Sequence, residues 1–164
     1  VPLNQWADLN FSVDWSAYFL WKTDVKDEDH CRQCPITAAA LDNIPRADIP
    51  TFAPTAFFSA LRPRTNIPPH TGVTNARLTV HLPVIVPPGG CWFRVGGETR
   101  EWKEGEAWVF DDTIEHEACN PTDELRVILI FDIWNPYVTD IERELIRELL
   151  PAIYDYYQID YGSL

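Results

Sequence analysis

The chain has 164 residues, of which 46% are hydrophobic, and a net charge of −12. This length fits one domain with one sizeable core, because a domain of about 150 residues buries roughly two-thirds of its unfolded surface. The negative charge, with no local block of Lys or Arg to offset it, argues against nucleic acid and anionic membranes as partners. No apolar run approaches the ~20 residues of a membrane span. We therefore expect a single folded domain, residues 1–164, with no membrane segment.

The two ends of the chain bear on its context. The N-terminal "VPLNQWADLN" has neither the basic start nor the apolar stretch of a signal peptide, which predicts a cytoplasmic location. The sequence contains no methionine, even at position 1, so we expect a domain excised from a longer chain.

Two flanking segments are predicted around a β-rich core. Residues 1–54 mix aromatic, charged and proline residues and contain one predicted helix, Pro35–Leu41, in which proline opens an Ala-rich stretch. Residues 137–164 begin with a second helix, capped by Thr139 or Asp140. This helix is predicted to pack on the outside of the core through apolar residues at helical spacing, namely Ile141, Leu145, Ile146 and Leu149.

The predicted core, residues 55–136, is a series of short runs rich in Val, Ile, Phe, Trp and Thr, separated by turns. Six runs are predicted strands: Phe57–Leu61, Arg77–Ile85, Trp92–Val95, Glu98–Trp102, Ala107–Phe110 and Arg126–Ile133. Gly96-Gly97 separates two of them as a two-residue hairpin turn. The pattern predicts a mainly β fold, a sandwich or jelly-roll barrel with helices on its flanks.

Four cysteines raise the question of a metal site or a disulfide. Only Cys31 and Cys34 have the spacing of a CxxC motif, and a second such pair is missing. A structural zinc site would therefore need histidines to complete it. The alternative, a pair of free or loosely linked thiols beside a turn, is favoured.

The strand Arg77–Ile85 has one apolar and one polar face. Arg77, Thr79 and His81 share the polar face, because successive side chains of a strand point to opposite sides. These side chains either contact water or line the interior of the barrel.

His70 and His116 are placed near the ends of different predicted strands, and Arg126 opens the last one. Two such histidines can converge on a divalent metal through neutral imidazole nitrogens. An arginine deeper in the same barrel can bind the far carboxylate of a bidentate co-substrate. Taken singly, either histidine is better explained as a core or surface residue, and only the set of residues favours a metal site. For Arg126 the alternative is a structural salt bridge.

Three stretches carry a resemblance to a known family. The strings "PPHTGVTNARLTVHLPVIVPP", "GGETREWKEGEAWVFDDTIEHEACN" and "RVILIFDIWNP" resemble the catalytic domain of the aspartyl/asparaginyl β-hydroxylases. The similarity is dense from residue 57 to residue 136. The resemblance implies a double-stranded β-helix fold and a hydroxylase dependent on Fe(II), 2-oxoglutarate and O2, which couples hydroxylation to the release of succinate and CO2.

The resemblance also implies roles for residues around the metal. His70 and His116 match the two histidines that hold iron in such enzymes, and Gly72 stands where related oxygenases have an aspartate. Water would fill that ligand position. Asp112 matches the aspartate of the family's FDD motif and would accept a hydrogen bond from such a water; its alternative is a turn aspartate at a strand end.

For 2-oxoglutarate, the resemblance places Arg126 on the side-chain carboxylate, with Ser59 as a hydroxyl donor and His81 as a further contact. Family members often have a second basic residue two places before the position of His81, where this chain has Thr79. This departure shifts more of the carboxylate binding to Arg126.

The substrate implied by the family is the β-carbon of an aspartyl or asparaginyl residue in a protein or peptide, or a related amino acid. Trp21 and the N-terminal segment are predicted in the substrate wall; the alternative for Trp21 is a core tryptophan. Arg62, Arg64 and Arg77 are the available cations for an acidic substrate. In several family members tetratricopeptide repeats precede this domain, so such repeats are expected upstream in the full-length chain.

Two alternatives from other functional classes remain open. In the first, His70, His81 and His116 all bind the metal of a cupin-like dioxygenase or isomerase that does not use 2-oxoglutarate. In the second, the chain is a non-catalytic jelly-roll binding module. Succinate release separates the hydroxylase from both.

Overall fold

The computed structural model describes residues 14–157, with ten strands and three helices in that range. The parts of the predicted flanking segments at 1–13 and 158–164 lie outside the described residues. The elements in chain order are β1 (Trp15–Lys22), β2 (Val25–Lys26), α1 (Glu28–Gln33), α2 (Pro35–Asp42), β3 (Ala56–Leu61), β4 (Thr65–His70), β5 (Arg77–Ile85), β6 (Trp92–Val95), β7 (Glu98–Glu101), β8 (Trp108–Phe110), β9 (His116–Asn120), β10 (Arg126–Trp134) and α3 (Asp140–Tyr157).

The strands form two antiparallel sheets. The larger has six strands in the order β2-β1-β3-β10-β5-β8, and the smaller has four in the order β4-β9-β6-β7. Side chains from both sheets line one internal cavity, so the sheets face each other as the two walls of a barrel. The fold is mainly β and of the jelly-roll type with flanking helices, as the sequence predicted.

The six predicted strands and the first predicted helix are present, with ends within one residue of those expected. The turn at Gly96-Gly97 is also confirmed, because Val95 pairs with Glu98 across it. No local pattern was strong enough to predict β1, β2, α1, β4 and β9. One of these has a plain reason: β4 contains Pro68 and Pro69 on the edge of its sheet.

Apolar side chains pack on both faces of the larger sheet. Between the sheets, Leu61, Phe93 and Ile128 belong to one buried cluster. On the outer face, Leu20, Trp21 and the helical residue Leu41 belong to a second. The helices α1 and α2 thus cover the outside of the larger sheet and leave its inner face to the cavity.

The C-terminal helix α3 packs on the outside of the barrel, but of the four predicted contact residues only Ile146 belongs to the buried face. Thr139 caps it, since its hydroxyl accepts from the Glu142 N–H while the Glu142 carboxylate accepts from the Thr139 N–H. The buried face carries Ile146, Leu150 and Tyr154. The predicted contact residues Ile141, Leu145 and Leu149 are 55–72% exposed. Helical spacing alone cannot decide between two adjacent apolar stripes.

All four cysteines are free thiols, and three of them are buried. Among residues 14–157, no helix combines the length and the apolar character needed to span a bilayer.

Candidate active site

The two histidines predicted to bind metal face each other across the smaller sheet. His70 ends β4 and His116 begins β9, and the two are register partners in this antiparallel pair. Their ring centroids are 4.1 Å apart, and each residue is 7% exposed. Directly opposed residues on one face of an antiparallel pair are close enough for their side chains to interact. The strand pairing therefore brings together two residues that are 46 positions apart in the sequence.

Each imidazole is fixed by the backbone two residues before it. Nδ1 of His70 lies 2.7 Å from the Pro68 carbonyl oxygen, and Nδ1 of His116 lies 2.9 Å from that of Ile114. A carbonyl oxygen can only accept, so Nδ1 is the protonated nitrogen of each ring and Nε2 has the lone pair. This tautomer is the one in which a histidine binds a metal through Nε2.

Both histidines are kept neutral at physiological pH. Burial, with a smaller contribution from His116, lowers the pKa of His70 to about 4. Burial also lowers the pKa of His116. A neutral imidazole can donate its lone pair to a metal, whereas an imidazolium cannot.

The space for a third, carboxylate ligand at residue 72 is filled by the side chain of Asp112. A Cβ built on Gly72 would meet the Asp112 carboxyl group at well under 3.0 Å. The Gly72 N–H also donates to the Asp112 carbonyl oxygen at 2.6 Å. The glycine is thus required by the close approach of Asp112, whose carboxylate fills the space that a side chain at residue 72 would need.

Arg77 joins two buried carboxylates at this end of the cavity. Its Nη2 lies 3.0 Å from Asp112 Oδ2, and its Nη1 lies 3.0 Å from Asp132 Oδ1. Burial by itself would lower the pKa of Arg77, but Asp132 and Asp112 raise it above its ordinary value. This arginine already has its anionic partners.

Arg126, at the other end of the cavity, has no such partner. The side chain is fully buried, and its Nη1 donates to the backbone oxygen and the hydroxyl of Ser59 at 3.3 and 3.4 Å. The indole of Trp102 lies 4.7 Å from the guanidinium carbon. No carboxylate of residues 14–157 forms an ion pair with it, and burial lowers its pKa to about 10. The arrangement is that of a desolvated cation prepared for an anion.

His81 lies among aromatic rings in the same cavity. Phe93 and Phe110 are each 4.8 Å away between centroids, and both also contact His116. The Nδ1 atom of His81 is buried without a hydrogen bond. Burial, followed by the charge of Arg126, keeps the pKa of His81 well below its ordinary value.

Buried polar atoms without a protein partner concentrate in this cavity, which has a volume of about 220 Å³. Seven such atoms occur in residues 14–157, and four of them belong to residues lining it: Nδ1 of His81, Nε1 of Trp102, Oδ1 of Asp112 and Nε of Arg126. Buried polar groups are nearly always hydrogen-bonded, so four in one cavity indicate a polar ligand.

Seven of the predicted site residues line this cavity together: Ser59, His70, Arg77, His81, Asp112, His116 and Arg126. Three others do not. Trp21 is buried in the cluster on the outer face of the sheet, because a register irregularity between Phe19 and Trp21 follows the inward-facing Phe19. Arg62 and Arg64 are exposed and lie off the cavity. We correct these placements, and Phe19 lines the cavity where Trp21 was predicted.

Sequence reasoning missed Asp132, Trp15 and Thr55. Asp132 has the signal of even spacing: it lies six residues after Arg126 on the same strand, so both face inward. Trp15 donates from Nε1 to the Ser59 hydroxyl at 3.0 Å, and the Thr55 N–H donates to Asp132 at 2.9 Å. Neither contact has a sequence signal, because the partners are 44 and 77 residues apart.

Within residues 14–157 no group of three or more His, Cys, Asp or Glu side chains is arranged to hold a metal ion. The metal-binding potential of the site therefore rests on the His70–His116 pair.

Comparison with known proteins identifies the family. Residues 3–136 match the family model described as aspartyl/asparaginyl beta-hydroxylase. The chain belongs to the aspartyl/asparaginyl β-hydroxylase family. The resemblance seen in the sequence is thereby confirmed, and with it the assignment to a family of hydroxylases.

Curated relatives carry different substrate names. The mouse aspartyl/asparaginyl beta-hydroxylase is 38% identical over 152 residues, which cover 89% of this chain and 19% of the relative. The ornithine lipid ester-linked acyl 2-hydroxylase of Rhizobium tropici is 40% identical over 130 residues, covering 78% and 44%. Human aspartate beta-hydroxylase domain-containing protein 2 is 35% identical over 136 residues, covering 81% and 37%. The chain thus spans less than half the length of each.

Proposed function

We propose that this chain is an Fe(II)- and 2-oxoglutarate-dependent hydroxylase. The observation that carries the proposal is the pairing, in one cavity, of two neutral histidines with a buried arginine that lacks an anionic partner. The first group suits a divalent metal, and the second suits the carboxylate of a co-substrate.

The residues present fit a metal ion. His70 and His116 would hold it through Nε2, with both tautomers set in advance by backbone carbonyls. Asp112 would act from the side of Gly72, accepting a hydrogen bond from a metal-bound water at its unpartnered Oδ1. Iron, when bound with 2-oxoglutarate and O2, supplies the oxidising chemistry that couples decarboxylation to hydroxylation.

The residues at the far end fit a dicarboxylate. Arg126 would bind the side-chain carboxylate of 2-oxoglutarate, with its guanidinium held by Ser59 and stacked on Trp102. Ser59 is itself oriented by the Trp15 indole. His81 would offer Nδ1, which has no hydrogen bond within the protein. Thr79, whose hydroxyl donates to Asp112, lies with the metal-side group and adds no charge to this end.

The substrate that is hydroxylated is proposed from the names of the relatives. The relatives act, by their names, on aspartyl or asparaginyl residues and on a lipid acyl group. We retain the β-carbon of an aspartyl or asparaginyl residue, or a related amino acid, as the first substrate to test.

The deciding experiment is an incubation with Fe(II), ascorbate, 2-oxoglutarate and O2, in which succinate is measured. We expect succinate release in the wild type and none when His70 or His116 is replaced by Ala. A folded wild-type chain that binds Fe(II) and 2-oxoglutarate but releases no succinate with any substrate tested would contradict the proposal.

His81 separates the hydroxylase from a three-histidine metal enzyme. We expect His81→Ala to retain Fe(II) and to bind 2-oxoglutarate more weakly. A loss of metal as complete as that of His70→Ala would favour the cupin-like alternative.

A further inference from the structure

We propose that Arg77 is a positioning residue for the metal site, which acts by holding the Asp112 carboxylate against Gly72. This inference rests on the proposed function, because it concerns the ion that His70 and His116 would hold. It moves Arg77 from the substrate wall, where the sequence placed it, to the support of the site.

One oxygen of Asp112 receives all of the hydrogen bonds that fix this carboxylate. Arg77 Nη2 lies 3.0 Å from Oδ2, and the Thr79 hydroxyl donates to the same oxygen at 3.3 Å. Arg77 also donates from Nη1 to the Thr79 hydroxyl at 2.9 Å, so the two donors to Oδ2 are themselves linked. The other oxygen, Oδ1, is left without a hydrogen bond in a cavity that both histidines line.

Asp132 anchors the far side of the guanidinium. It is 4% exposed and lies on the central strand β10, with Oδ1 3.0 Å from Arg77 Nη1 and Oδ2 accepting from the Thr55 N–H. The planar guanidinium has fixed donor directions, so binding one carboxylate on each side leaves it little freedom to turn. Arg77 therefore connects Asp112 rigidly to the larger sheet.

The contact with Gly72 restricts the carboxylate on its remaining side. No side chain could stand at residue 72 while Asp112 keeps this position. Arg77 and Thr79 on one side and the glycine on the other thus select a single placement for Oδ1.

The same group supplies charge to the site. The Asp112 carboxylate, paired with Arg77, lies in the cavity lined by the two histidines, which are neutral when they bind a metal. A cation held by the histidines would thus gain a negative neighbour although residue 72 provides no carboxylate. The charge acts at short range in a buried site, where screening is weak.

Cobalt(II) titration of the metal-free protein tests the inference without relying on turnover. We expect Arg77→Gln to weaken Co(II) binding by roughly tenfold or more and to change the visible Co(II) spectrum, since loss of a supporting contact typically costs 10–100-fold in metal affinity. Arg77→Lys should recover part of the affinity. Arg64→Gln is the matched control, because Arg64 forms a two-bond pair with Asp123 away from the cavity and should leave both readouts unchanged.

A double-mutant cycle separates positioning from general support of the fold. If Arg77 acts through Asp112, then Arg77→Gln should add little to the affinity loss already caused by Asp112→Asn. Additive losses, or a folded Arg77→Gln variant with wild-type affinity and spectrum, would overturn the inference. If Arg77→Gln does not fold, the same cycle is run with Asp132→Asn, which removes the anchor while keeping its shape.

The outcome is distinguishable from a failure of the proposed function. A wild-type chain that binds neither Co(II) nor Fe(II) would contradict the hydroxylase itself. Wild-type binding that is indifferent to Arg77 and Asp132 would contradict only the positioning role.

Discussion

Arg77 and Arg126 line opposite ends of one cavity, and they differ in what surrounds the charge. Arg77 is held between Asp112 and Asp132. Arg126 is fully buried with the backbone oxygen and hydroxyl of Ser59 as hydrogen-bond acceptors and Trp102 as its aromatic neighbour. The same side chain thus meets two carboxylates at one end and none from residues 14–157 at the other.

The surroundings of the two charges distinguish a structural arginine from one in a ligand site. An arginine remains charged at any physiological pH, so burial must be offset by a partner. Where the protein supplies the partner, the arginine belongs to the structure; where it does not, a ligand is the expected partner. Four predictions test this contrast.

The largest effect is expected when Arg77 is removed. Arg77→Met should lower the free energy of unfolding by about 3–5 kcal/mol, because two buried carboxylates lose the cation that pairs with both of them. Urea unfolding at pH 7 measures it. The control Arg64→Met removes an exposed ion pair and should cost far less. Equal costs for the two variants would show that the buried pairs do not stabilise the fold.

Replacing Arg126 should give the opposite pattern. Arg126→Met removes a desolvated charge without breaking an ion pair, so the free protein should keep its stability. The affinity for 2-oxoglutarate should fall roughly ten- to a hundredfold, because about 1.5–3 kcal/mol of charge-assisted hydrogen bonding is lost. Arg126→Lys should fall between, since lysine has no planar fork. Calorimetry with 2-oxoglutarate gives the affinity, and a thermal melt of the same sample gives the stability. Unaltered affinity in a folded variant would place the carboxylate elsewhere.

A side chain at residue 72 would crowd the Asp112 carboxylate that Arg77 holds. Gly72→Ala should cost about 1–3 kcal/mol of stability, because the new methyl group meets Asp112, which Arg77 prevents from moving aside. In an Asp112→Gly background the same substitution should cost much less. Denaturant unfolding of the four proteins measures the coupling, and equal costs in both backgrounds would disprove the steric account. Filling the position with aspartate meets the same obstacle, so Gly72→Asp is expected to disturb the metal site.

The effect that is smallest at pH 7 concerns a residue that can lose its charge on burial, as an arginine cannot. Since the pKa of His70 is lowered to about 4, the unfolded chain binds a proton between pH 6.5 and 4 that the folded chain does not. Stability is therefore lost as the pH falls through this window, by at most about 1.4 kcal/mol per pH unit. In metal-free protein His70→Gln should reduce the slope of unfolding free energy against pH. Parallel slopes for the wild type and His70→Gln would contradict the lowered pKa.

The sequence predicted the elements whose signals are local. The alternation of apolar and polar residues predicted the strand at 77–85, and the turn residues predicted the hairpin at Gly96-Gly97. Strands β4 and β9 had weak signals, yet their pairing places His70 opposite His116. Local pattern therefore indicated the barrel, whereas the pairing that builds its site is a tertiary property.

The site was predicted unevenly for the same reason. Histidines and the strand-borne Arg126 stand out by residue type. The role of Arg77 did not, because its two partners lie 35 and 55 residues further along the chain and only the folded sheet unites them. Trp21 was misplaced because an irregularity in strand pairing shifts which side chains face inward, and no composition rule reports such a shift.

The backbone carbonyl oxygens that accept from the two histidine rings also fix the orientation of those rings before any metal binds. Because each acceptor lies only two residues before its own ring, the orientation of both imidazoles is fixed as soon as β4 and β9 pair. Immobilising a side chain costs about 0.5–1.5 kcal/mol of conformational entropy. That entropy is lost during folding and not during capture of an ion, so the pair is preorganised and the full attraction of its two nitrogens is available to the incoming cation.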